Sequence, residues 1–412
     1  MRIAMVSEHA DPTAGPGGED AGGQNVHVAA LSRALAARDH TITVYTRLAS
    51  PGAEPVVTLA PGVEVHRLAA GPAAPLPKDE LLPHMTEFGA ALGREWARQP
   101  PDLVHAHFWM SGLASLQGAA GLPIPVAQTF HALGSVKARH QGARDTSPPE
   151  RIDAERRIGL DCDQVIATCH DEVRELGQLG VPSDKVSVVP CGVDTGTFWP
   201  FGAEAPRDSP GRLLTLGRLV ERKGIGTAIE ALAQLPGVEL VVAGGPERDL
   251  LGGDAEYRRL RDIAHARGVA DRVVFTGAVP RAQVPALIRS ADMVVCTPWY
   301  EPFGITPLEA MACGVPVVAS AVGGLTDSVV HGATGLLIPA RDPAALVAAA
   351  GTLLADPAMR ATFGEAGARR ARRWYSWPRV AAQTESVYLR LGAGIPPGRD
   401  TGHGRSLAVG AP

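Results

Sequence analysis

The segment Glu301 to Gly314 reads EPFGITPLEAMACG and sets two carboxylates, Glu301 and Glu309, on either side of a loop that must then start a helix. Thr306, Pro307 and Glu309 fit a capping box, with Thr at the N-cap, Pro at the first helical position and Glu reaching back to the Thr N–H. That role accounts for Glu309 and leaves Glu301 and Gly304 unexplained. The backbone N–H groups of Gly304, Ile305 and Thr306 at such a helix start would receive an anion. Upstream, GRLVERKGI carries Arg218 and Lys223 between the end of a predicted strand and the next helix. Cations at a helix N-terminus oppose its dipole, so an anionic partner is wanted, and a diphosphate suits a pair of them. Only four of the 39 basic residues are lysines, which makes Lys223 more informative. Carboxylates are repelled by a diphosphate but accept hydrogen bonds from sugar hydroxyls beside it. A sugar nucleotide has that layout.

Other candidates are weaker when taken singly. In Asp20-Ala-Gly-Gly23, Gly22 and Gly23 precede a helix beginning near Asn25, where small residues let backbone approach a ligand. Gly244-Gly245-Pro246 ends another strand, and turn chemistry explains it nearly as well. His131 ends the strand PVAQTF, at the rim of a sheet, where it either donates to a ligand or caps the strand. His105 and His107 in VHAHFW are expected on opposite faces of their strand as structural residues. No third ligand accompanies them, so no metal site is expected.

The elements that must position these groups alternate. RIAMV, TITVYT, LVHAHFW, PVAQTF, QVIATC and VSVVP are β-rich runs separated by helical stretches, and RLLTLG, VELVVAGG, RVVFTGAV, MVVCTP, PVVAS and GLLIP repeat the pattern. The expected fold is α/β, with two Rossmann-like doubly wound units facing each other across a cleft at the C-terminal ends of their strands. Residues 1–192 form the first unit, 193–210 a Gly- and Pro-rich linker, and 211–375 the second. Residues 376–392 form a last helix that could cross back to the first unit, and 393–412 read as a disordered tail. The first unit lacks the G-x-G-x-x-G turn of a dinucleotide site, and no P-loop is present.

With 412 residues, 45% hydrophobic and 20% charged, the chain is globular and long enough for two domains. A net charge of −4 gives no footprint for nucleic acid, and the acidic first half disfavours an anionic membrane. The apolar run before Glu8 is too short for a signal peptide, and the five scattered cysteines fit a reduced compartment. A cytoplasmic protein without integral membrane association is expected. A homodimer is left open.

In combination and in this order, Asp20-Ala-Gly-Gly23, His131, Arg218 with Lys223, Gly244-Gly245-Pro246 and the Glu301/Glu309 pair resemble the family 4 retaining glycosyltransferases, of GT-B architecture. The resemblance runs to about residue 390. It implies that Arg218, Lys223 and the backbone at Gly304 to Thr306 hold the diphosphate of a UDP- or GDP-type donor. Glu309 would bind the ribose and Glu301 the donor sugar, and Phe303, Gly22, Gly23 and Gly244 would complete the donor site. His131 would line the transfer site, so that Glu301, His131, Arg218 and Lys223 form the catalytic set. The product would keep the donor's anomeric configuration, with no metal and no cofactor beyond the sugar nucleotide.

Within the family, GGQNVHV, HAHFWMSG and HALGSVK are most similar to the inositol-phosphate branch and, more distantly, to sucrose and sucrose-phosphate synthases. That branch holds its acceptor phosphate with a Lys, a Tyr, a Thr and an Arg. Lys78 and Arg151 match the Lys and Arg, whereas Phe108 stands in place of the Tyr and Ala132 in place of the Thr. Two alternatives keep the same fold: a sugar-nucleotide epimerase, for which only Glu301 offers a general acid or base, and a nucleotide-sugar binding module without catalysis.

Overall fold

A computed structural model of the chain describes residues 1–13 and 23–392. Gly22, Asp20 and the tail 393–412 lie outside the described residues. Two sheets account for the strands. The first contains β1 (Arg2–Val6), β2 (Thr41–Arg47), β3 (Val56–Ala60), β4 (Val63–Leu68), β5 (Leu103–His107), β6 (Val126–Thr129), β7 (Gln164–Ala167) and β8 (Val186–Val188), in the order β3-β4-β2-β1-β5-β6-β7-β8. The second contains β9 (Gly211–Leu216), β10 (Val238–Ala243), β11 (Val273–Gly277), β12 (Met293–Cys296), β13 (Val317–Ser320) and β14 (Gly335–Ile338), in the order β11-β10-β9-β12-β13-β14. Each order reverses direction beside its first strand, at β1/β5 and β9/β12, and such a switch point opens a crevice at the strands' C-terminal ends.

The pairings are parallel except for β3 with β4, a hairpin turned at Gly62 with φ +76°. This hairpin was not anticipated. Its strands, VVTLA and VEVHRL, show the alternation of a half-exposed edge rather than the continuous apolar run of a central strand. Central strands such as LVHAH are buried at every position, because helices cover both faces.

The C-terminal part forms three helices, Pro343–Ala355, Pro357–Trp374 and Trp377–Arg390. The first two are capped by Asp342 and Asp356, whose carboxylates accept from Ala345 N–H and Met359 N–H, each at 2.9 Å. The last helix belongs to the core of the first unit: Trp377, Val380 and Tyr388 pack with Ile3, Met5 and Leu31. Tyr388 reaches the floor of the first sheet, its hydroxyl 2.7 Å from His105 Nδ1.

After β9 the chain makes a short 3-10 turn at Glu221–Lys223 and enters the helix Ile225–Leu232 through Gly224 at φ +66°. A Cβ there would lie 1.8 Å from the Thr297 carbonyl oxygen, so only glycine permits this approach. Gly224→Ala is therefore expected to cost about 2 kcal/mol or more and to lower the thermal unfolding midpoint by several degrees. A calorimetric scan with an unchanged midpoint would contradict that reading of the turn.

Candidate active site

The C-terminal ends of β9, β12 and their loops enclose a cavity of about 380 Å³ lined by Gly217, Arg218, Lys223, Glu301, Gly304 and Thr306, among others. Arg218 and Lys223 thus reach one space, together with the start of the helix Ile305–Ala312. Gly304, at φ +85°, is the N-cap of that helix, and no side chain caps it. The expected capping box at Thr306 does not form. Thr306 already lies inside the helix, because the positive φ at Gly304 turns the chain two residues earlier, and Glu309 is engaged elsewhere. The first N–H groups of the helix are left without a side-chain cap, the condition for an anion site.

Glu301 bonds to Lys223 Nζ and lies 3.8 Å from Arg222 Nη1. Its side chain is 13% exposed. Burial on its own would raise its pKa; the charges of Lys223, Arg222 and Arg218 outweigh burial and hold the carboxyl below its ordinary value. The loop carrying Glu301 is clamped by a glycine pair whose purpose was not legible in the sequence. Gly324 N–H donates to the Glu301 carbonyl at 3.1 Å, and a Cβ on Gly323 would lie 2.0 Å from that oxygen.

Several expected donor residues sit apart from the cavity lining. Glu309 is buried and paired with Arg281 at 2.6 Å; burial raises its pKa and Arg281 partly offsets the rise. Arg281 in turn lies over the Phe198 ring at 4.4 Å. The Phe303 side chain belongs to the core with Leu325 and Tyr375, which leaves only its backbone for a ligand. Gly244, at φ +118°, serves a close approach to Gly217, whose carbonyl oxygen would lie 2.2 Å from an added Cβ. Gly23 begins the helix Gly23–Ala36, and a Cβ there would touch Ile305 Cδ1 at 3.5 Å. Two helix N-termini, one from each unit, therefore approach each other at the cleft.

A second cavity of about 540 Å³ joins the units, lined by Ala132, Leu133 and Glu172 on one side and Tyr300, Glu301 and Gly323 on the other. Tyr300 fastens this seam. Its hydroxyl accepts from Gln141 Nε2 at 2.8 Å, and its ring stacks with His140 at 5.0 Å. Across the same seam, His170 N–H donates to Asp327 at 2.7 Å. None of these contacts could be read from the sequence, because their partners lie more than 150 positions apart.

The four expected acceptor residues do come together. Phe108 lies between two cations, Lys78 Nζ at 5.4 Å and Arg151 Cζ at 5.1 Å from its ring centroid. Arg151 is buried and donates to Glu155 at 2.8 Å and to the Ala132 carbonyl at 2.7 Å. Phe108 has φ +80° and ψ 156°, a region almost reserved for glycine. A phenylalanine held there is strained, as side chains at functional sites often are.

His131, with φ +60°, bonds through Nε2 to His107 Nδ1 at 3.0 Å. His105 and His107 do not face opposite ways as expected. Their ring centroids are 4.1 Å apart, because residues two apart on a strand share a face. Burial, followed by the neighbouring imidazoles, drives His107 and His131 well below 6.5, so both are neutral near pH 7. Although His27 joins them at 5.7 Å and 5.0 Å, no group of three or more His, Cys, Asp or Glu side chains among the described residues could hold a metal ion.

Fold and site together place the chain in a known family. Residues 21–197 match the model for Glycosyltransferase Family 4, and residues 201–370 that for Glycosyl transferases group 1. The chain is 38% identical over 408 residues to the D-inositol 3-phosphate glycosyltransferase of Xylanimonas cellulosilytica, covering 94% of this chain and 96% of that protein. The corresponding protein of Acidothermus cellulolyticus is 36% identical over 406 residues, covering 94% and 90%. This chain belongs to the family 4 glycosyltransferases. Among solved structures, sucrose-phosphate synthase from Thermosynechococcus elongatus superposes with a TM-score of 0.88 at 34% identity, over 95% of this chain and 99% of the other. Anabaena HepE, solved with UDP, shares the fold at a TM-score of 0.73 and 20% identity, over 95% and 100%. The two sheets and the cleft between them are the GT-B architecture.

Glu172, in the second cavity, gives a pH signature. It accepts from Thr168 N–H at 2.7 Å and Thr168 Oγ1 at 2.8 Å, yet burial pushes its pKa from 4.5 up to about 7. Between those values the folded chain keeps a proton that the unfolded chain has lost, so Glu172 subtracts stability as pH rises through this window. Glu172→Gln keeps an acceptor for Thr168 and is expected to gain stability relative to wild type as pH rises from 4.5 to about 7. Denaturant titrations giving a pH-independent difference between the two proteins would contradict this.

Proposed function

We propose that the chain is a retaining, metal-independent hexosyltransferase that uses a UDP- or GDP-type sugar and a small polar acceptor of the inositol phosphate or sugar phosphate class. The observation that carries this reading is the convergence of Arg218, Lys223 and the N–H groups from Gly304 onward on one cavity beside Glu301. The cations and the helix dipole would stabilise the leaving diphosphate. Cleavage of the bond between the anomeric carbon and the phosphate oxygen would leave charge on that oxygen. The acceptor oxygen would bond to the anomeric carbon from the same face, and its proton would pass to the departing phosphate oxygen. No general base is then required of the protein. Glu301 would accept hydrogen bonds from hydroxyls of the transferred sugar, and Glu309 from those of the ribose once Arg281 rearranges.

Lys78, Phe108, Ala132 and Arg151 would face the acceptor. The names of the relatives, D-inositol 3-phosphate glycosyltransferase and sucrose-phosphate synthase, support a phosphorylated polyol or sugar. Phe108 and Ala132 supply no hydroxyl donors, and Arg151 is already paired with Glu155, so an acceptor phosphate would have to share the Arg151 guanidinium with that carboxylate. No helix among the described residues is long and apolar enough to cross a membrane, and a cytoplasmic site of action fits soluble co-substrates.

Lys223→Ala and Arg218→Ala are each expected to weaken nucleotide-sugar binding about tenfold or more, the scale of one charge-assisted hydrogen bond. Calorimetry showing unchanged UDP-sugar and GDP-sugar affinities in both variants would remove the assignment. Glu301→Ala should abolish transfer while nucleotide still binds. Mass spectrometry of nucleotide sugars offered inositol phosphates, inositol and fructose would identify the acceptor. A change in the donor sugar without acceptor would instead support epimerase chemistry.

A further inference from the structure

We infer that His107 is a positioning residue that holds His131 in the tautomer protonated on Nδ1, so that His131 offers an N–H donor rather than a lone pair on the side away from His107. The inference deepens the glycosyl-transfer reading, in which His131 lines the transfer site, and rests on it for its catalytic meaning.

The number of protons on the two rings fixes the tautomer. His107 Nδ1 and His131 Nε2 are 3.0 Å apart, so one proton lies between them. Both rings are neutral, since burial and the surrounding imidazoles disfavour a second proton on either. Each ring therefore has one N–H to place. If His131 donated from Nε2, His107 would have to carry its proton on its own Nε2. That atom is buried and has no hydrogen-bond partner. A buried N–H without an acceptor is among the rarest defects in folded proteins, whereas an unused lone pair is better tolerated. The other arrangement avoids the defect: His107 donates from Nδ1, keeps the lone pair on Nε2, and leaves His131 to carry its proton on Nδ1.

The surroundings leave His107 little freedom to reorient. It lies at the end of β5 and packs against His105, the ring centroids 4.1 Å apart and the planes tilted by 40°, and the His105 ring is itself fixed. Thr129 Oγ1 donates to the Ile166 carbonyl at 3.0 Å and so must accept from His105 Nε2 at 2.9 Å, while the Tyr388 hydroxyl donates to His105 Nδ1 at 2.7 Å. His27, edge-on to His131 at 5.0 Å, contacts Cys191 Sγ through Nδ1 at 3.3 Å. Among the described residues, Nδ1 of His131 has no hydrogen-bond partner in the protein. A neutral N–H there would donate to an oxygen of the bound sugar or acceptor. It makes His131 a poor base, in keeping with a proton that leaves on the phosphate.

Histidine-selective 15N labelling of the full chain and long-range 1H–15N correlation spectra at neutral pH read the tautomer directly. The expected spectrum shows His131 protonated on Nδ1 and bare on Nε2. H107L removes the donor and should release that preference, lowering kcat about tenfold with little change in donor KM. H107N, whose amide N–H can replace Nδ1–H, should restore both the tautomer and most of the lost turnover. A wild-type His131 protonated on Nε2, or an H107L spectrum that keeps the Nδ1–H tautomer, overturns the inference. The wild-type spectrum needs neither substrate nor variant. A chain that transfers no sugar would defeat the functional reading while leaving the tautomer decided.

Discussion

A mostly buried carboxylate can stay ionised only if cations surround it, and the loop at Glu301 is arranged to meet that condition. Lys223 bonds to it, Arg222 lies within 4 Å, and Arg218 adds attraction from the cavity wall. The turn that carries Lys223 and the loop that carries Glu301 each pack against a glycine that tolerates no larger residue. Gly224 presses on Thr297 to end the turn that presents Lys223, and Gly323 presses on the Glu301 carbonyl to fix the opposing loop. Lys223, Arg222 and Arg218 thus stand on one side of the cleft with the start of the helix Ile305–Ala312 beside them, a grouping of donors suited to a diphosphate.

The surrounding fold serves this concentration of charge. Parallel strands deliver their C-terminal ends to one edge, and the reversal of strand order in each sheet opens a crevice there. Helix starts at Gly23 and Ile305 bring their positive ends to the same place from opposite units. The seam between units is fastened by Tyr300, the residue immediately before Glu301, so the contact between units and the carboxylate share one loop.

What the sequence disclosed follows from the range of the forces involved. Strand and helix periodicities are local, so the two α/β units were legible, as was the grouping of Arg218, Lys223 and Glu301 at strand ends. The hairpin β3–β4 escaped because its alternating edge pattern is weaker than a buried run. The shared face of His105 and His107 was open to reading, since the period of a strand is two, but was assigned the wrong way. Glu309 with Arg281, Gln141 with Tyr300, and the Gly323–Gly324 clamp depend on tertiary contacts that no local pattern encodes. The missing cap at Thr306 shows the same competition: a left-handed Gly304 started the helix early and overrode a well-formed capping box.

In the proposed function, Arg218, Lys223 and the helix start after Gly304 receive the diphosphate of a sugar nucleotide beside Glu301. A crystal structure of the chain with a bound nucleoside-diphosphate sugar tests it most directly. The expected electron density puts phosphate oxygens within hydrogen-bonding distance of Arg218, Lys223 and the N–H groups following Gly304, with the sugar turned toward Glu301. A diphosphate bound elsewhere, with Arg218 and Lys223 turned away from it, would contradict this assignment of the cleft.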